Sequence, residues 1–141
     1  MSELVVFDTN VFVSYLLKTN KVTPITLAVD TIFDGSSVPV YADAILAEYD
    51  RVLHYTKFNF TDEKIHTLIS LVRTKGFYVE TIPTNVPFTD ASDKCFYDTA
   101  ITAGAHWLVT GNKKHYPQEG FIVTPRQWLE RHLCLGHLGD G

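Results

Sequence analysis

The chain has 141 residues, of which 45% are hydrophobic and 20% charged, a composition typical of one soluble domain with a packed core. Its formal net charge of −4 excludes a global basic field that would attract nucleic acid, although a local basic patch stays compatible with it. No apolar run approaches the roughly 20 residues of a membrane-spanning helix, and no basic leader precedes the first one, so we expect a cytoplasmic protein without a membrane partner.

In chain order, short apolar runs alternate with segments of helical periodicity. Thr61, followed by two acidic residues, predicts the start of the clearest helix, and Gly76 its end. Strands that alternate with helices favour a three-layer α/β/α sandwich with a short, mostly parallel central sheet. We predict strands at Leu4–Phe7, Val38–Tyr41, Phe77–Ile82, His106–Val109 and Gly120–Val123, and helices at Val11–Leu17, Thr23–Phe33, Ala42–Leu53, Thr61–Gly76, Asp93–Gly104 and Pro125–His132.

The cysteine content and the end of the chain carry little further signal. Two cysteines, Cys95 and Cys134, are too few for a disulfide framework, and we expect both to be free thiols. A zinc site at His132, Cys134 and His137 is disfavoured, because the segment supplies few ligands without the usual finger spacing. No repeat or linker divides the chain, so we expect a single domain over residues 1–141, with residues 133–141 as a tail.

Acidic and amide side chains follow several of the predicted strands. Asp8 and Asn10 come directly after the first strand, Glu48 lies in the helix after the second, Asp93 in the helix that leads into the fourth, and Asn112 after the fourth. In open α/β sheets the ligand crevice lies at the carboxyl ends of the strands. Two carboxylates about 4 Å apart repel by roughly 4 kcal/mol at an effective dielectric of 20, so their convergence requires a cation or a proton. Oxygen ligands alone favour magnesium or manganese over zinc.

Each acid also has a structural explanation. Asp8 could simply cap the helix that follows it, and for Asp90 we prefer the capping role. On a helix, Asp93 shares a face with Tyr97 and points toward the packed side, whereas Asp98 is rotated by roughly 140°. Asp93 is therefore the stronger candidate ligand and Asp98 the weaker one.

Four segments in order, "FDTNVFVSYLL", "AEYDRVL", "DKCFYDTAITAGAHWLVTGNKKHYP" and "FIVTPRQWLE", resemble a PIN-domain ribonuclease from about Leu4 to Arg131. The resemblance implies a compact α/β sandwich whose acidic pocket binds Mg²⁺ or Mn²⁺ and cleaves phosphodiesters, usually in single-stranded RNA. Many small bacterial members that resemble VapC are toxins of toxin–antitoxin pairs. An antitoxin partner and a homodimer are therefore expected as well.

The resemblance also assigns roles to residues. Asp8, Glu48 and Asp93 correspond to the family acids that hold the metal ion, with Glu48 orienting or deprotonating the water that attacks the phosphate in line. Thr9 and Asn10 belong to the DTN signature, whose amide holds the attacking water or a neighbouring carboxylate.

The segment after the fourth strand departs from the family pattern at one position. Asn112 stands where many relatives have aspartate, which weakens a second metal site, and Asp98 could compensate from the side. Lys113 and Lys114 follow and could contact substrate phosphates, although ordinary solvated lysines fit the pattern as well.

Two other functions fit part of the pattern. A haloacid-dehalogenase-like phosphatase also has an aspartate after its first strand, but it needs a second one where this chain has Asn10. A PIN-like binding module that has lost its activity is the other alternative. Retention of Asp8, Glu48 and Asp93 speaks against that module, whereas Asn112 is compatible with it.

Overall fold

A computed structural model describes residues 2–17 and 21–140, with side chains described as far as His132. The expectations for Cys134 and His137 therefore lie outside the described side chains. The strands are β1 (Glu3–Phe7), β2 (Ser37–Tyr41), β3 (Phe77–Tyr78), β4 (Trp107–Val109) and β5 (Ile122–Val123). The helices are α1 (Thr9–Leu17), α2 (Pro24–Asp34), α3 (Asp43–Leu53), α4 (Asp62–Lys75), α5 (Ala91–Ala103) and α6 (Pro125–Asp140), and 3₁₀ turns lie at Thr56–Phe58 and Lys113–His115.

The five strands form one sheet in the order β3-β2-β1-β4-β5, and every pairing is parallel. The central strand β1 has Val5, Val6 and Phe7 at 0–1% exposure, as expected for a strand covered on both faces. Helices α2 and α6 pack together, α3 packs against α4 and α5, and both groups contact strands. The predicted α/β sandwich with a parallel central sheet is confirmed.

Helix starts with a polar cap agree well with the sequence. Thr61 accepts a hydrogen bond from the Lys64 backbone at 3.1 Å, and Asp90 accepts one from Ser92 at 2.9 Å, so both are N-caps. Pro24 occupies the first position of α2, where its missing N–H costs nothing. These starts are specified by neighbouring residues, and they need no information from the rest of the chain.

The third strand is shorter than predicted. Only Phe77 and Tyr78 pair with β2, whereas we expected a strand through Ile82. The Val79 N–H still binds the Tyr41 carbonyl at 3.0 Å, but the chain then leaves the edge of the sheet, and the Ile82 N–H binds the Thr102 hydroxyl of α5 at 2.9 Å. An edge strand has no second neighbour to hold it, so an apolar sequence alone does not keep it in the sheet.

Gly76 ends α4 as predicted, but for a reason other than the usual left-handed cap. Its φ of −92° is open to any residue. A Cβ there would lie 2.2 Å from the Val72 carbonyl oxygen and 2.5 Å from that of Pro39. Glycine is therefore required because the end of α4 approaches the backbone of β2 too closely for a side chain. Among the described helices, none has the length and apolar character needed to cross a membrane.

Candidate active site

The carboxyl ends of β1 and β4 are joined by hydrogen bonds at the start of α1. The Asp8 N–H binds the Val109 carbonyl at 2.9 Å, and the Asn10 Oδ1 accepts the Gly111 N–H at 2.9 Å. Helix α1 begins at Thr9, two residues earlier than predicted, so Asn10 lies in its first turn. The chain order of the strands predicted that the segments after β1 and β4 lie side by side, and these hydrogen bonds join them.

Asp8 is a buried carboxylate, with 5% of its surface exposed. Its Oδ2 accepts hydrogen bonds from the hydroxyls of Thr110 and Tyr116, both at 2.8 Å. Burial raises the pKa of Asp8, while these two bonds and the backbone N–H groups of Asn10 and Thr9 act in the opposite direction. The backbone contacts are those of a helix cap, so the capping interpretation holds in part. They leave unexplained why a charge that burial disfavours lies at this position.

Asp93 lies in the first turn of α5, and its side chain is 17% exposed. Burial and then the negative charges of Asp8 and Asp90 raise its pKa to about 6, against an opposing contribution from His115. His115 Nδ1 is 3.5 Å from the Asp93 Oδ2. Asp8 and Asp93 therefore repel each other across the crevice, as the predicted convergence requires.

Glu48 of α3 is already paired. Arg51 binds its two carboxylate oxygens through Nη2 at 2.8 Å and Nε at 3.2 Å, and Arg51 Nη1 donates to the Tyr55 hydroxyl. A two-point contact of this kind holds both side chains in a defined orientation. In this arrangement Glu48 is directed to its own helix neighbour.

The thiol of Cys95 lies within electrostatic range of all four candidate acids. Its pKa is raised to about 12 by burial and then by the charges of Glu48, Asp8, Asp93 and Asp98. Cys95 is a free thiol, as expected, and its Sγ donates to the Ser92 carbonyl at 3.1 Å. The charges of all four acids, that of the paired Glu48 included, thus act on one position of α5.

The orientation predicted for Asp98 is wrong. We expected it to point away from the packed side, but only 4% of its surface is exposed. Its Oδ2 accepts from the Lys94 ammonium and its Oδ1 from the Thr84 hydroxyl, each at 2.6 Å. The irregular segment after β3 covers this face of α5, and helical periodicity carries no information about such a cover. A catalytic role for Asp98 stays a prediction. The negative charge of Asp98 is already compensated by the Lys94 ammonium.

The predicted substrate-binding residues differ in how free their polar groups are. Thr9 is buried, and its hydroxyl has no hydrogen-bond partner among the described residues. Asn112 and Lys114 are exposed, whereas the Lys113 ammonium donates to Gln127 Oε1 at 3.1 Å. Lys114 is therefore the less constrained of the two lysines.

The fit to a metal ion differs between the pair Asp8 and Asp93 and the third acid, Glu48. Asp8 and Asp93 supply two desolvated, mutually repelling carboxylates, which is the donor chemistry that a hard divalent cation compensates. Within the described part of the chain, no group of three His, Cys, Asp or Glu side chains is arranged as a metal cluster. The pair fits such an ion, and Glu48 could join it only by leaving Arg51.

Several residues that shape the site were missed. Arg51 had a readable signal, because it follows Glu48 by three residues on a helix, a spacing that brings opposite charges together. Thr110 and Tyr116 had none, since they lie 102 and 108 residues from Asp8 in the chain.

Comparison with known proteins agrees with the fold. The model of the PIN domain family matches residues 4–114, which include Asp8, Glu48 and Asp93. Among curated proteins none matches the sequence. With most of the chain covered by the match, the protein belongs to the PIN domain family, whose members are generally nucleases.

Proposed function

We propose that this chain is a metal-dependent endoribonuclease that cleaves single-stranded RNA and serves as the toxin of a toxin–antitoxin pair. The observation that carries the proposal is the electrostatic repulsion between the buried carboxylate of Asp8 and the half-buried carboxylate of Asp93, which come from separate parts of the chain. A fold gains no stability from such a pair, so its retention favours a site that binds a cation. Membership of the PIN family supports phosphodiester hydrolysis as the reaction.

Asp8 and Asp93 would hold Mg²⁺ or Mn²⁺, with Glu48 as a further ligand. When bound, the ion supplies positive charge to the phosphodiester in the transition state and makes water a better nucleophile. Carboxylate oxygens are the donors that both of these cations prefer.

The protein's own residues would orient the reactants. Tyr116 and Thr110 fix Asp8 Oδ2, and Asn10 fixes the Gly111 loop opposite, so the crevice is organised before substrate enters. A Glu48 carboxylate released from Arg51 would accept a proton from the attacking water. The exposed Lys114 is the better placed of the two loop lysines to contact a substrate phosphate, because Lys113 is held by Gln127.

The cleavage test compares the wild type with the double variant Asp8→Asn, Asp93→Asn on unstructured, end-labelled RNA with Mn²⁺. We expect cleavage by the wild type to depend on the ion and to be lost in the double variant, which keeps the shape of both side chains. Asp30→Asn, at an exposed position of α2, is the matched control and should cleave as the wild type does. Equal cleavage by wild type and double variant would remove the proposed site.

The toxin role, the antitoxin partner and the homodimer rest on the resemblance of the motifs to VapC-like proteins. Induced expression in a bacterium should arrest growth with the wild type and leave growth intact with the double variant. Light scattering of the purified protein tests the dimer. If expression of the wild type does not slow bacterial growth, the toxin role is refuted, whereas the nuclease activity is not.

The inactive binding module is the remaining alternative, and manganese titration by calorimetry decides it. Asn112 in place of a family aspartate is the feature that favours it. Wild-type protein that binds no Mn²⁺ and cleaves no RNA would establish that alternative. The phosphatase alternative has lost its support. The chain matches the PIN domain family, and it has Asn10 where such a phosphatase needs a second aspartate.

A further inference from the structure

Three aromatic rings lie in a row directly after α3. The ring centroids of Tyr55 and Phe58 are 6.1 Å apart with an interplanar angle of 16°, and those of Phe58 and Phe60 are 5.5 Å apart at 19°. Within the six residues from Tyr55 to Phe60, around the 3₁₀ turn, the protein thus forms a stack of nearly parallel rings. We call Arg51, Tyr55, Lys57, Phe58 and Phe60 the aromatic strip.

Two cations lie over these rings. The Lys57 ammonium is 5.9 Å from the ring centroid of Tyr55 and 5.2 Å from that of Phe58, and the Arg51 guanidinium is 5.6 Å from that of Tyr55. These distances are within the range of cation–π attraction. The strip therefore combines flat apolar surfaces with positive charge, on a chain whose net charge is −4.

The outer end of the strip is open to solvent, whereas its inner end is anchored. Phe58 and Phe60 are partly buried and pack against the core, which fixes the turn. Tyr55 remains 38% exposed, and Lys57 is exposed. Anchoring the turn would explain the two phenylalanines, but not an exposed third ring with two cations over it.

Arg51 connects the strip to the acidic crevice. Its guanidinium binds Glu48 on one side and the Tyr55 hydroxyl on the other. Its charge also acts on Asp90, the N-cap of the helix that carries Asp93. The strip thus begins at the edge of the candidate active site.

We propose that the aromatic strip is a binding subsite for single-stranded RNA, in which bases stack on the rings and phosphates contact Lys57 and Arg51. Aromatic platforms flanked by cations are the usual means of holding a single strand without regard to its sequence. The inference rests on the proposed function, because it assumes that the crevice acts on RNA. A phosphate bound by Arg51 competes with Glu48, so occupation of the strip releases the third carboxylate toward Asp8 and Asp93.

Binding is measured in EDTA, so that cleavage does not interfere, by fluorescence anisotropy of a short labelled oligouridylate. We expect Tyr55→Ala to weaken binding about fivefold to a hundredfold, the loss of one stacked base. Tyr55→Phe keeps the ring and should bind nearly as the wild type does. The matched control is Tyr78→Ala. Tyr78 is 43% exposed and its ring packs against that of Tyr41, so it resembles Tyr55 but lies outside the strip. Its removal should leave RNA binding unchanged.

Two further measurements separate stacking from charge. An abasic strand of the same length should bind wild type and Tyr55→Ala equally, because it has no base to stack. Lys57→Ala should lower the slope of log affinity against log salt by about 0.7, the value for one phosphate contact on a single strand. If a thermal melt shows that Tyr55→Ala is unfolded, Tyr55→Leu replaces it, because leucine keeps an apolar side chain without a flat ring.

The outcomes distinguish this inference from the proposed function. If the wild type cleaves RNA with Mn²⁺ while Tyr55→Ala and Tyr55→Leu bind oligouridylate as the wild type does, the subsite is refuted and the nuclease stands. An equal loss of binding for the abasic strand would also refute base stacking. A wild type that neither binds nor cleaves RNA would refute both.

Discussion

Replacing Asp93 by asparagine isolates the repulsion at the centre of the site. The substitution keeps the size and one acceptor oxygen of the side chain and removes its negative charge. In the absence of metal, a carboxylate that burial and Asp8 disfavour should cost stability, so Asp93→Asn is expected to be more stable than the wild type at neutral pH. A merely structural aspartate in the first turn of α5 predicts the opposite, because its charge would favour the helix start.

The size of the effect follows from the pKa of Asp93, which is about 6 against an ordinary value of 3.8. A shift of about two units corresponds to about 3 kcal/mol, and solvent contact of the side chain reduces this to about 1–2 kcal/mol. The native state binds the proton more tightly than the unfolded state. The stability contributed by protonated Asp93 is therefore complete below pH 3.8 and is lost as the pH rises through about 6.

Thermal unfolding followed by circular dichroism in EDTA, from about pH 4 to about pH 8, measures this difference. We expect the two proteins to melt together at the acid end and to separate by about 3–6 °C at neutral pH, with the variant higher. Asp30→Asn, at an exposed position, should track the wild type throughout. Manganese at about 100 times its dissociation constant should then stabilise the wild type by about 2.7 kcal/mol and the variant by less.

A gap between the two melting curves that does not change with pH would refute this reasoning, since only titration of Asp93 produces the predicted convergence. Lower stability of Asp93→Asn at neutral pH would show that the favourable interactions of the carboxylate, with His115 and with the start of α5, outweigh the repulsion from Asp8. Either result would remove the physical basis for a cation at this pair.

Two further substitutions, with one control, test the hydrogen bonding of Asp8 and the close approach at the end of α4. Tyr116→Phe removes one of the two hydroxyls on Asp8 Oδ2 and should lower the free energy of unfolding at neutral pH by about 1–2 kcal/mol, measured by urea denaturation; an unchanged midpoint would show that the bond is dispensable. Gly76→Ala should cost about 1–3 kcal/mol or more, because backbone oxygens 2.2 and 2.5 Å from the new methyl group must move. Gly120→Ala, where nothing lies within 4 Å of the added Cβ, should stay within about 0.5 kcal/mol of the wild type in the same experiment.

The sequence alone determined the class of fold and the helix starts that carry a side-chain cap, and it predicted that Asp8 and Asp93 lie near each other. Thr61 and Asp90 cap their helices through bonds to residues two or three positions away, so local sequence suffices. Alternating strands and helices imply parallel strands, and the carboxyl ends of parallel strands lie at one edge. For that reason the encounter of Asp8 with Asp93 could be predicted without coordinates.

The tertiary structure decided which partner each acid has. Asp98 is buried under a segment that follows the short edge strand β3, and Asp8 is held by Tyr116 from 108 residues further along the chain. Glu48 has a near neighbour in Arg51, but whether a half-buried and an exposed helix residue pair depends on side-chain rotamers and on what else surrounds them. Periodicity and caps act over a few residues, whereas the partner of a charge is selected by the packing of segments that are distant in the chain.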